Sequence, residues 1–529
     1  MSRKVILPNH ADAGFRGYRE RLLAALASML AGGCTVGPNF NTPVAGVPDA
    51  FIAKQITHGE RTADVSRWWE ILKDPELNRL VERAVANNLS LEIALERLQI
   101  ARTQQVVVAG GALPVLNASA GGGRGTGSDI SRGRVDPPLG ASDSTSNQPK
   151  GFRQITQVAG FDASWELDLF GKYRRAAEAA AADTQAAIAD RNAVLITVIA
   201  DVARLYIDMR AQQLLLAALR GNIDVARAYF KLTLEQTERG ITNELDLTIA
   251  QRQLAGLLAE EPPLIAQIEG SRAAIAALLG AFPEDVANDI SRKAKFPTLP
   301  ENVGKRIPLE LLHRRPDIIE AEHQLAAATA RVGVATANLF PRVSLTGAWG
   351  QQAQGLGVAP YFGSYIWSLG PSISWSVLDF GALDSLVGIA DLQTKQQLAF
   401  YKLTVINAVK EVDVALASYS AQLKRLRSLK DAMAASQKAV KLATERFNRG
   451  LTDSLNVIDA QRLQYDLERQ YVLAQQTAGE NVIALYKALG GGWENYQHLP
   501  PIPRAQPAIV AAFTRAHLDV APVDSKQDK

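Results

Sequence analysis

Three carboxylate side chains lie close together in the sequence, at Asp162, Glu166 and Asp168. Carboxylates at this spacing could act as an acid–base pair or bind a metal ion. Positions 161–169 alternate between apolar and polar residues, which predicts a strand with all three carboxylates on one face. No histidine accompanies them, and the chain has no HExxH, GxxxxGK[ST] or GxSxG motif. The pattern favours a polar sheet face over an active site, and we predict no enzyme activity, no metal and no cofactor.

The second candidate functional group is a pair of oppositely charged side chains. Asp459 and Arg462 are three residues apart in a segment with helical periodicity, so their side chains share one helix face. A solvated pair of this kind contributes a few tenths of a kcal/mol at most. Spacing alone therefore favours an ordinary surface pair.

The single cysteine, Cys34, excludes an internal disulfide bond. It follows a basic stretch, an apolar run at 22–30 and the small residues Ala31-Gly32-Gly33. This order predicts an export signal at 1–33 and resembles a bacterial lipoprotein signal, in which the cysteine is lipidated. Such signals usually have leucine where Ala31 stands, and a buried, incidental thiol is the alternative. We predict a covalent lipid at Cys34.

The charge balance argues against a polyanionic partner. The chain has 57 Lys and Arg against 54 Asp and Glu, a formal charge of +3. Residues 1–33 contain five basic and two acidic side chains (5 − 2 = +3), so their removal leaves a nearly neutral protein. We therefore predict no nucleic-acid binding.

The elements that carry these residues occur twice. Four motifs recur with one offset of 210 residues (375 − 165 = 449 − 239 = 489 − 279). They are SW-x4-FG at 164–171 and 374–381, RG-x-T at 239–242 and 449–452, AQR at 250–252 and 460–462, and LG at 279–280 and 489–490. The common register predicts an internal duplication. The predicted segments are a signal peptide (1–33), an extended leader (34–67), a first repeat (68–280), a Pro-rich connector (281–307), a second repeat (308–490) and a C-terminal tail (491–529).

Period-two alternation predicts strands near 113–121, 161–169, 343–349 and 368–377. The polar face is predicted to contain Asp162, Ser164, Glu166, Asp168, Ser372, Ser374 and Ser376. Such alternation usually belongs to a half-buried sheet on a soluble core. Gly-, Ser-, Pro- and Asp-rich loops at about 122–154 and 350–364, with Trp or Tyr at strand ends, instead favour a transmembrane β-barrel whose lumen wall carries these polar residues.

Four strands cannot close a barrel, and an open sheet edge is unstable in lipid. The barrel therefore needs several chains. Two chains would give eight strands with a filled interior, and three would give twelve strands around a lumen. Composition does not choose between them.

Two proline-free segments, 172–238 and 382–448, follow the strand pairs. A continuous helix of that length is about 100 Å long, and its 3–4 spacing of apolar residues predicts coiled-coil packing. Each segment ends at Arg-Gly-x-Thr, where glycine provides a left-handed turn and Thr242 or Thr452 is predicted to cap a return helix. The return helices are predicted at about 243–279 and 453–489, the first interrupted at Pro262-Pro263.

Several motifs together resemble a known family. They are Trp68-Trp69 through Asp74-Pro75, the run Leu311-Leu312-His313-Arg314-Arg315-Pro316-Asp317-Ile318, Ala321-Glu322, Gly333, Phe340-Pro341 and both Arg-Gly-x-Thr sequences. The chain resembles the TolC-like outer-membrane efflux ducts, in the NodT-type lipoprotein branch that serves resistance–nodulation–division (RND) systems. The resemblance covers about residues 60–490, and the family more often has arginine where His313 stands.

This resemblance implies an α+β membrane protein that forms a homotrimer. Twelve strands would form a β-barrel in the outer membrane, and twelve helices would continue it as a coiled-coil barrel in the periplasm. The lipid-anchored duct would dock with a periplasmic adaptor (membrane-fusion) protein and an inner-membrane RND pump. It would conduct substrates passively.

The resemblance also implies two kinds of functional residue. Acidic side chains near the hairpin end narrow the periplasmic entrance in this family, which assigns Asp459 and Arg462 to a periplasmic gate. Asn456 stands where some relatives carry a second acid. The adaptor-docking tips would be Arg239, Gly240 and Thr242 in the first repeat and Arg449, Gly450 and Thr452 in the second. A plain helix C-cap is sufficient for the glycines alone.

A soluble periplasmic coiled-coil scaffold is the alternative function. It predicts a water-soluble chain released by salt, whereas the duct predicts a trimer that only detergent extracts and that conducts ions across a bilayer.

Overall fold

The computed structural model describes residues 35–43, 65–127, 152–240, 242–286, 290, 295–300, 314–354, 365–449, 451–452 and 454–497. The predicted signal peptide, Cys34, the motif residues Leu311 to His313, Gly450 and the tail beyond residue 497 lie outside the described residues.

Each half of the chain contains short helices, two strands, a very long helix and a return helix. The first half comprises a 3-10 helix (Trp68–Leu72), α1 (Pro75–Asn87), α2 (Leu89–Gly110), β1 (Val115–Gly127), β2 (Phe152–Leu167), α3 (Lys172–Glu238), α4 (Glu244–Leu278) and a one-turn helix (Pro283–Val286). The second half comprises α5 (Pro316–Ala337), β3 (Arg342–Gln354), β4 (Tyr365–Ser374), α6 (Ala382–Asn448), α7 (Ser454–Ala488) and a 3-10 helix (Glu494–Tyr496).

The two halves match in length. The long helices α3 and α6 have 67 residues each, and the return helices α4 and α7 have 35 each. The predicted bounds of both long helices are confirmed. Their apolar seam is confirmed in the middle of each helix, where Leu195, Val202 and Met209 in α3 and Val412 in α6 are fully buried. Farther from the sheet the seam is only half-buried, at Leu216 and Phe230 in α3 and at Leu426, Met433 and Val440 in α6.

The four strands form one antiparallel sheet in the order β1-β2-β3-β4. Its register places Phe161 opposite Trp349 and Trp349 opposite Trp367. The strands are longer than predicted, since β1 reaches Gly127 and β2 begins at Phe152. The prediction of a loop over 122–154 is therefore wrong at both ends. Glycine-rich sequence has low strand propensity, but continuous pairing with β2 outweighs it.

The helices form one layer below the sheet. Close to the sheet, α3 packs between α2 and α5, and α5 packs in turn against α6. Farther from the sheet, α3 packs between α4 and α7, and α7 packs in turn against α6. The elements at the two sides of the layer are therefore α2 and α4 on one side and α6 on the other.

Helices meet end to end at two joints, α2 with α4 and α5 with α7. At the first joint, the Asn88 side chain accepts a hydrogen bond from the Leu91 amide (3.0 Å) and donates one to the Leu278 carbonyl (2.8 Å). It thus caps the start of α2 and the end of α4. At the second joint, the Arg315 guanidinium donates to the Ala488 carbonyl at the end of α7 (2.6 Å). Each contact satisfies a carbonyl that the helix end leaves unpaired.

A compact core lies on one side of the helical layer. Trp68 and Trp69 are almost fully buried, and the Trp68 ring stacks on Tyr486 of α7 with 5.6 Å between centroids. Next to them, Asp74 caps α1 by accepting from the Glu76 and Leu77 amides. Among the described residues, no helix combines the length and apolar character that crossing a bilayer requires.

Candidate functional site

The polar residues predicted for the lumen wall share one face of the sheet. Asp162 lies opposite Asn117, whose side-chain amide donates to its carboxylate (2.9 Å). Ser164 pairs with Thr346, and Glu166 with Ser344, which pairs in turn with Ser372. Ser374 lies opposite Arg342 at the end of the same face. Register thus gathers polar side chains from all four strands on one surface.

Two predicted wall residues lie outside the strands. Asp168 follows the end of β2, and Ser376 follows the end of β4. Asp168 caps α3 instead, because its carboxylate accepts from the Tyr173 and Arg174 amides (3.2 and 3.0 Å) and pairs with the Arg174 guanidinium. The apolar–polar alternation of the sequence continues past the end of β2, so it could not show where the strand ends.

Glu166 is paired rather than clustered with other acids. Its carboxylate accepts from the Lys172 ammonium (3.1 Å) and the Tyr173 hydroxyl (3.2 Å). In the part of the chain that the structure describes, no group of three His, Cys, Asp or Glu residues is placed to hold a metal ion. Glu166 and Asp168 instead join the end of β2 to the first turn of α3.

The opposite sheet face is apolar and exposed. Trp349 and Trp367 are 53% and 74% exposed, and Ile373 is 70% exposed. Phe161 stacks on Trp349 at 6.3 Å between centroids, which makes an aromatic row across three strands. A contiguous exposed surface of large apolar side chains marks contact with a membrane or a partner.

The first described residues attach to the junction between the sheet and α3. The Val36 amide donates to the Phe170 carbonyl (3.2 Å), and the buried Arg175 donates to the Val36 carbonyl (3.1 Å) and the Asn39 side chain (2.7 Å). Gly171, at φ +79°, lies so close to Thr35 that a Cβ there would collide with it. The chain directly after Cys34 is therefore fixed at the level where strands become helices.

The first hairpin end confirms the predicted glycine turn and corrects its cap. Gly240 has φ +69°, the left-handed conformation expected for it. The prediction that Thr242 caps α4 is wrong, because Asn243 does so by accepting from the Asp246 amide (3.0 Å). The Thr242 hydroxyl instead bonds the Thr237 hydroxyl (2.9 Å). Arg239 is exposed at this end.

The second hairpin end carries the predicted gate residues. Asp459, Arg462 and Asn456 are all exposed on α7. Within the described part of the chain, no ion pair joins Asp459 to Arg462. The Asn456 amide donates to the Thr452 hydroxyl (2.6 Å), and Arg449 is exposed beside them.

The structure adds a contact between the two return helices that the sequence did not indicate. The Tyr465 hydroxyl of α7 donates to the Glu260 carboxylate of α4 (3.0 Å). Burial, together with this carboxylate, raises the pKa of Tyr465. Tyr465 and Glu260 are 205 positions apart in the chain, so no local sequence pattern could have indicated their contact.

Glu261 pairs with Arg220 of α3 (2.7 Å), and Pro262-Pro263 follow directly. The predicted interruption at these prolines is wrong, since α4 continues through them.

A second unpredicted cluster contains two neighbouring carboxylates. Gln476 donates to both Asp208 of α3 and Glu480 of α7, each at 3.1 Å. Burial, a hydrogen bond with Asp208 and the charge of Asp208 raise the pKa of Glu480 to about 7. Arg204, which also pairs with Asp208, opposes this shift.

Glu480→Gln is expected to make the stability of the folded protein depend less on pH. Because the folded-state pKa of Glu480 lies above its ordinary value of 4.5, ionising it destabilises the fold, so this penalty is absent at low pH and complete above about pH 7. The variant should therefore be more stable than wild type at pH 8, by about 1 kcal/mol after solvent screening, and equally stable at pH 4. Thermal unfolding at both pH values measures this. Glu468→Gln is the control, since Glu468 also accepts from a glutamine four residues earlier. A constant difference at both pH values would contradict the prediction.

Comparison with known proteins agrees with this geometry. The sequence profile of the family described as outer membrane efflux protein matches residues 80–281 and 307–491. Nodulation protein T of Rhizobium leguminosarum bv. trifolii is 31% identical over 468 residues, which cover 88% of this chain and 96% of that protein. Outer membrane protein OprJ of Pseudomonas aeruginosa is 30% identical over 478 residues, which cover 90% of this chain and 96% of that protein.

A solved structure is similar over a comparable share of the chain. The outer-membrane channel OprN superposes with a TM-score of 0.76 at 35% identity, covering 87% of this chain and 100% of that chain. The two-faced sheet, the paired long helices and these matches lead to one assignment: the chain belongs to the outer membrane efflux protein family.

Proposed function

We propose that this chain is the outer-membrane channel of a tripartite efflux pump and passively conducts substrates to the cell exterior. The observation that carries the proposal is the sheet, which has one polar face, one exposed apolar face and a strand at each side with no further partner among the described residues. It continues into two helices of 67 residues. Such a sheet is stable in a bilayer only when copies close it.

The ring is proposed to be a homotrimer. Three copies give twelve strands, enough to leave a lumen, with β4 of one copy beside β1 of the next. The helical layer supports the same order, since α2 and α6 lie at opposite sides and both expose apolar residues. These are Leu89, Ile93 and Ile100 on α2 and Leu392, Leu403 and Ile406 on α6. A head-to-tail contact between two different surfaces closes as a ring when the rotation allows it.

Cys34 is proposed to carry a covalent lipid that anchors the channel. Thr35 and Val36 lie at the boundary between the sheet and the helices. If the sheet spans the membrane, that boundary lies at the periplasmic leaflet, within reach of a lipid on Cys34. Intact-mass measurement of the purified protein tests this, because Cys34→Ala should abolish the added acyl mass.

The partners are proposed to be a periplasmic adaptor and an inner-membrane RND pump. OprJ and TtgC are named as an outer membrane protein and a probable efflux pump outer membrane protein. We assign adaptor docking to the two hairpin ends, at Arg239, Gly240, Thr242, Arg449, Gly450 and Thr452. Among the described members of this set, both arginines are exposed. We also propose that residues 68–280 and 308–490 are duplicated copies of one unit.

The gate is proposed to lie at the same end of the molecule. Asp459, Arg462 and Asn456 are exposed on α7, and in a ring their copies would face one another across the axis. Tyr465 lies on the same helix and is bonded to Glu260 of α4. Opening requires α7 to separate from α4, a small rotation of one packed helix pair against another. Breaking this hydrogen bond should therefore favour the open state.

Tyr465→Phe is expected to raise the single-channel conductance or the open time. The substitution removes one hydrogen bond to a carboxylate, and for a contact partly open to solvent this amounts to about 1 kcal/mol, or a roughly fivefold shift toward opening. Tyr471→Phe, six positions along the same helix, is the matched control. Equal conductance of both variants and wild type would remove Tyr465 from the gate.

The decisive experiment combines particle mass with conductance. The protein should be extracted only by detergent, should have the mass of three chains, and should conduct ions in a planar bilayer. Asp459→Ala should change that conductance. A monomeric particle that is stable in plain buffer would instead favour the alternative of a soluble periplasmic scaffold.

A further inference from the structure

A cavity of about 540 Å³ lies where α3, α6 and the end of α7 meet the start of α5. This volume is within the range of small-molecule sites. Its lining among the described residues includes none from α1 or from the Trp68–Leu72 helix. Two other lining residues, Ala415 and Ala488, belong to the core cluster that contains both tryptophans. In the proposed ring the cavity opens toward the lumen. In this respect the inference rests on the proposed function.

The cavity wall combines an apolar surface with a few polar groups. Ile196 of α3, Val414 of α6 and Ala484 of α7 provide the apolar surface. Ser418 and Asn481 add neutral hydrogen-bonding groups. Sites for small organic molecules typically have this composition.

Two lysines give the cavity its charge character. Lys410 of α6 and Lys487 of α7 both line it and are exposed. Within the described residues neither ammonium group forms an ion pair, and Lys410 donates only to the neutral Asn407 side chain (3.0 Å). They thus remain available to an anion.

The third cation of the lining is already engaged. The Arg315 guanidinium pairs with the carboxylates of Asp317 (2.6 Å) and Glu411 (2.9 Å) and donates to the Ala488 carbonyl. Three cationic and two acidic side chains line the cavity, so its net charge is +1 (3 − 2). The two carboxylates are directed to Arg315 rather than to the lysines.

We propose that this cavity is a binding site in the channel wall for a small organic monoanion with an apolar ring system. The anionic group binds between Lys410 and Lys487, and the ring lies against Ile196 and Val414. Binding adds charge complementarity to apolar burial and is therefore weakened by salt. An occupied site narrows the lumen beside the joint that Arg315 makes between α5 and α7.

Equilibrium dialysis of the detergent-solubilised full-length protein tests the site. Naphthalene-1-sulfonate is the anionic probe, and 1-naphthylmethylammonium is a cation of similar size. The anion should bind at one site per chain, and the double variant Lys410→Gln/Lys487→Gln should bind it at least about tenfold more weakly. Lys424→Gln should bind as wild type, because Lys424 lies two heptads along the same face of α6 but outside the cavity.

Planar-bilayer recordings separate this inference from the channel proposal. With conductance present, the anion should reduce the current of wild type and Lys424→Gln but not of the double variant. Conductance without anion binding, or equal binding of the anion and the cation, would overturn the cavity site alone. An absence of conductance in wild type would overturn the channel, and dialysis would still decide whether the cavity binds the anion.

Discussion

Replacing Arg210 with methionine is expected to lower the free energy of unfolding by about 3–5 kcal/mol, the usual loss when one partner of a buried ion pair is removed. The Arg210 side chain is 0% exposed and donates to the Glu76 carboxylate at 2.6 Å. It also donates to the Tyr206 hydroxyl (2.9 Å), which donates in turn to Asp74 (2.7 Å). Methionine fills a similar volume but removes the cation from Glu76, whose side chain is only 14% exposed. The network joins α1 to α3, so its loss should loosen the whole core beside the helical layer.

Urea unfolding, followed by the helical circular dichroism of the detergent-solubilised protein, measures this effect. Arg227→Met on the same helix is the control, because Arg227 and its partner Asp224 are largely exposed and the change should be within about 0.5 kcal/mol. Adding Glu76→Gln to Arg210→Met should restore part of the loss, since it removes the negative charge that Arg210 no longer balances. Equal stability of the two arginine variants would show that the buried network contributes nothing.

Gly280→Ala is expected to cost about 2–5 kcal/mol, the sum of a left-handed backbone penalty and a steric clash. Gly280 has φ +63°, and a Cβ there would collide with the carbonyl oxygen of Asn87. Backbone atoms cannot move aside as a flexible side chain can. The collision lies at the joint where Asn88 holds the end of α4, so the substitution should separate α4 from α2.

Gly240→Ala isolates the backbone penalty from the clash. Gly240 has a similar φ of +69°, but a Cβ added there would meet no atom within 4 Å. This variant should lose only about 1–2 kcal/mol. Gly256→Ala, in the open interior of α4, should be neutral or slightly stabilising because alanine has the higher helix propensity. Equal losses for Gly280→Ala and Gly240→Ala would contradict the close packing at the joint.

Periodic sequence patterns determined the long elements. The proline-free segments and their heptads set the bounds of α3 and α6, and alternation set which residues of β2 share a face with those of β3 and β4. These patterns work because a helix or strand repeats its geometry along its own length, so that burial leaves a periodic record in the sequence. Arg-Gly-x-Thr located both hairpin ends for a different reason, because glycine readily adopts the left-handed conformation that ends a helix.

The details that sequence patterns missed depend on which nearby side chain bonds the start of a helix and on how the helices pack. Asn243 rather than Thr242 caps α4, since the residue in the extended conformation just before the first turn is the one that can reach its amides. Asp168 caps α3 instead of extending the strand. Pro262 and Pro263 remain inside a continuous helix because packing along α3 outweighs their intrinsic preference.

The sequence by itself determined that this chain has two similar halves, each with a two-faced strand pair and a very long helix. Only the tertiary structure decided which distant groups meet: Tyr465 with Glu260, Arg210 with Glu76, Arg315 with the end of α7, and the lysines around the cavity. The reason is physical. Periodicity reports the side of an element that is buried, whereas a hydrogen bond between residues far apart in the chain depends on the angle and register at which whole helices pack.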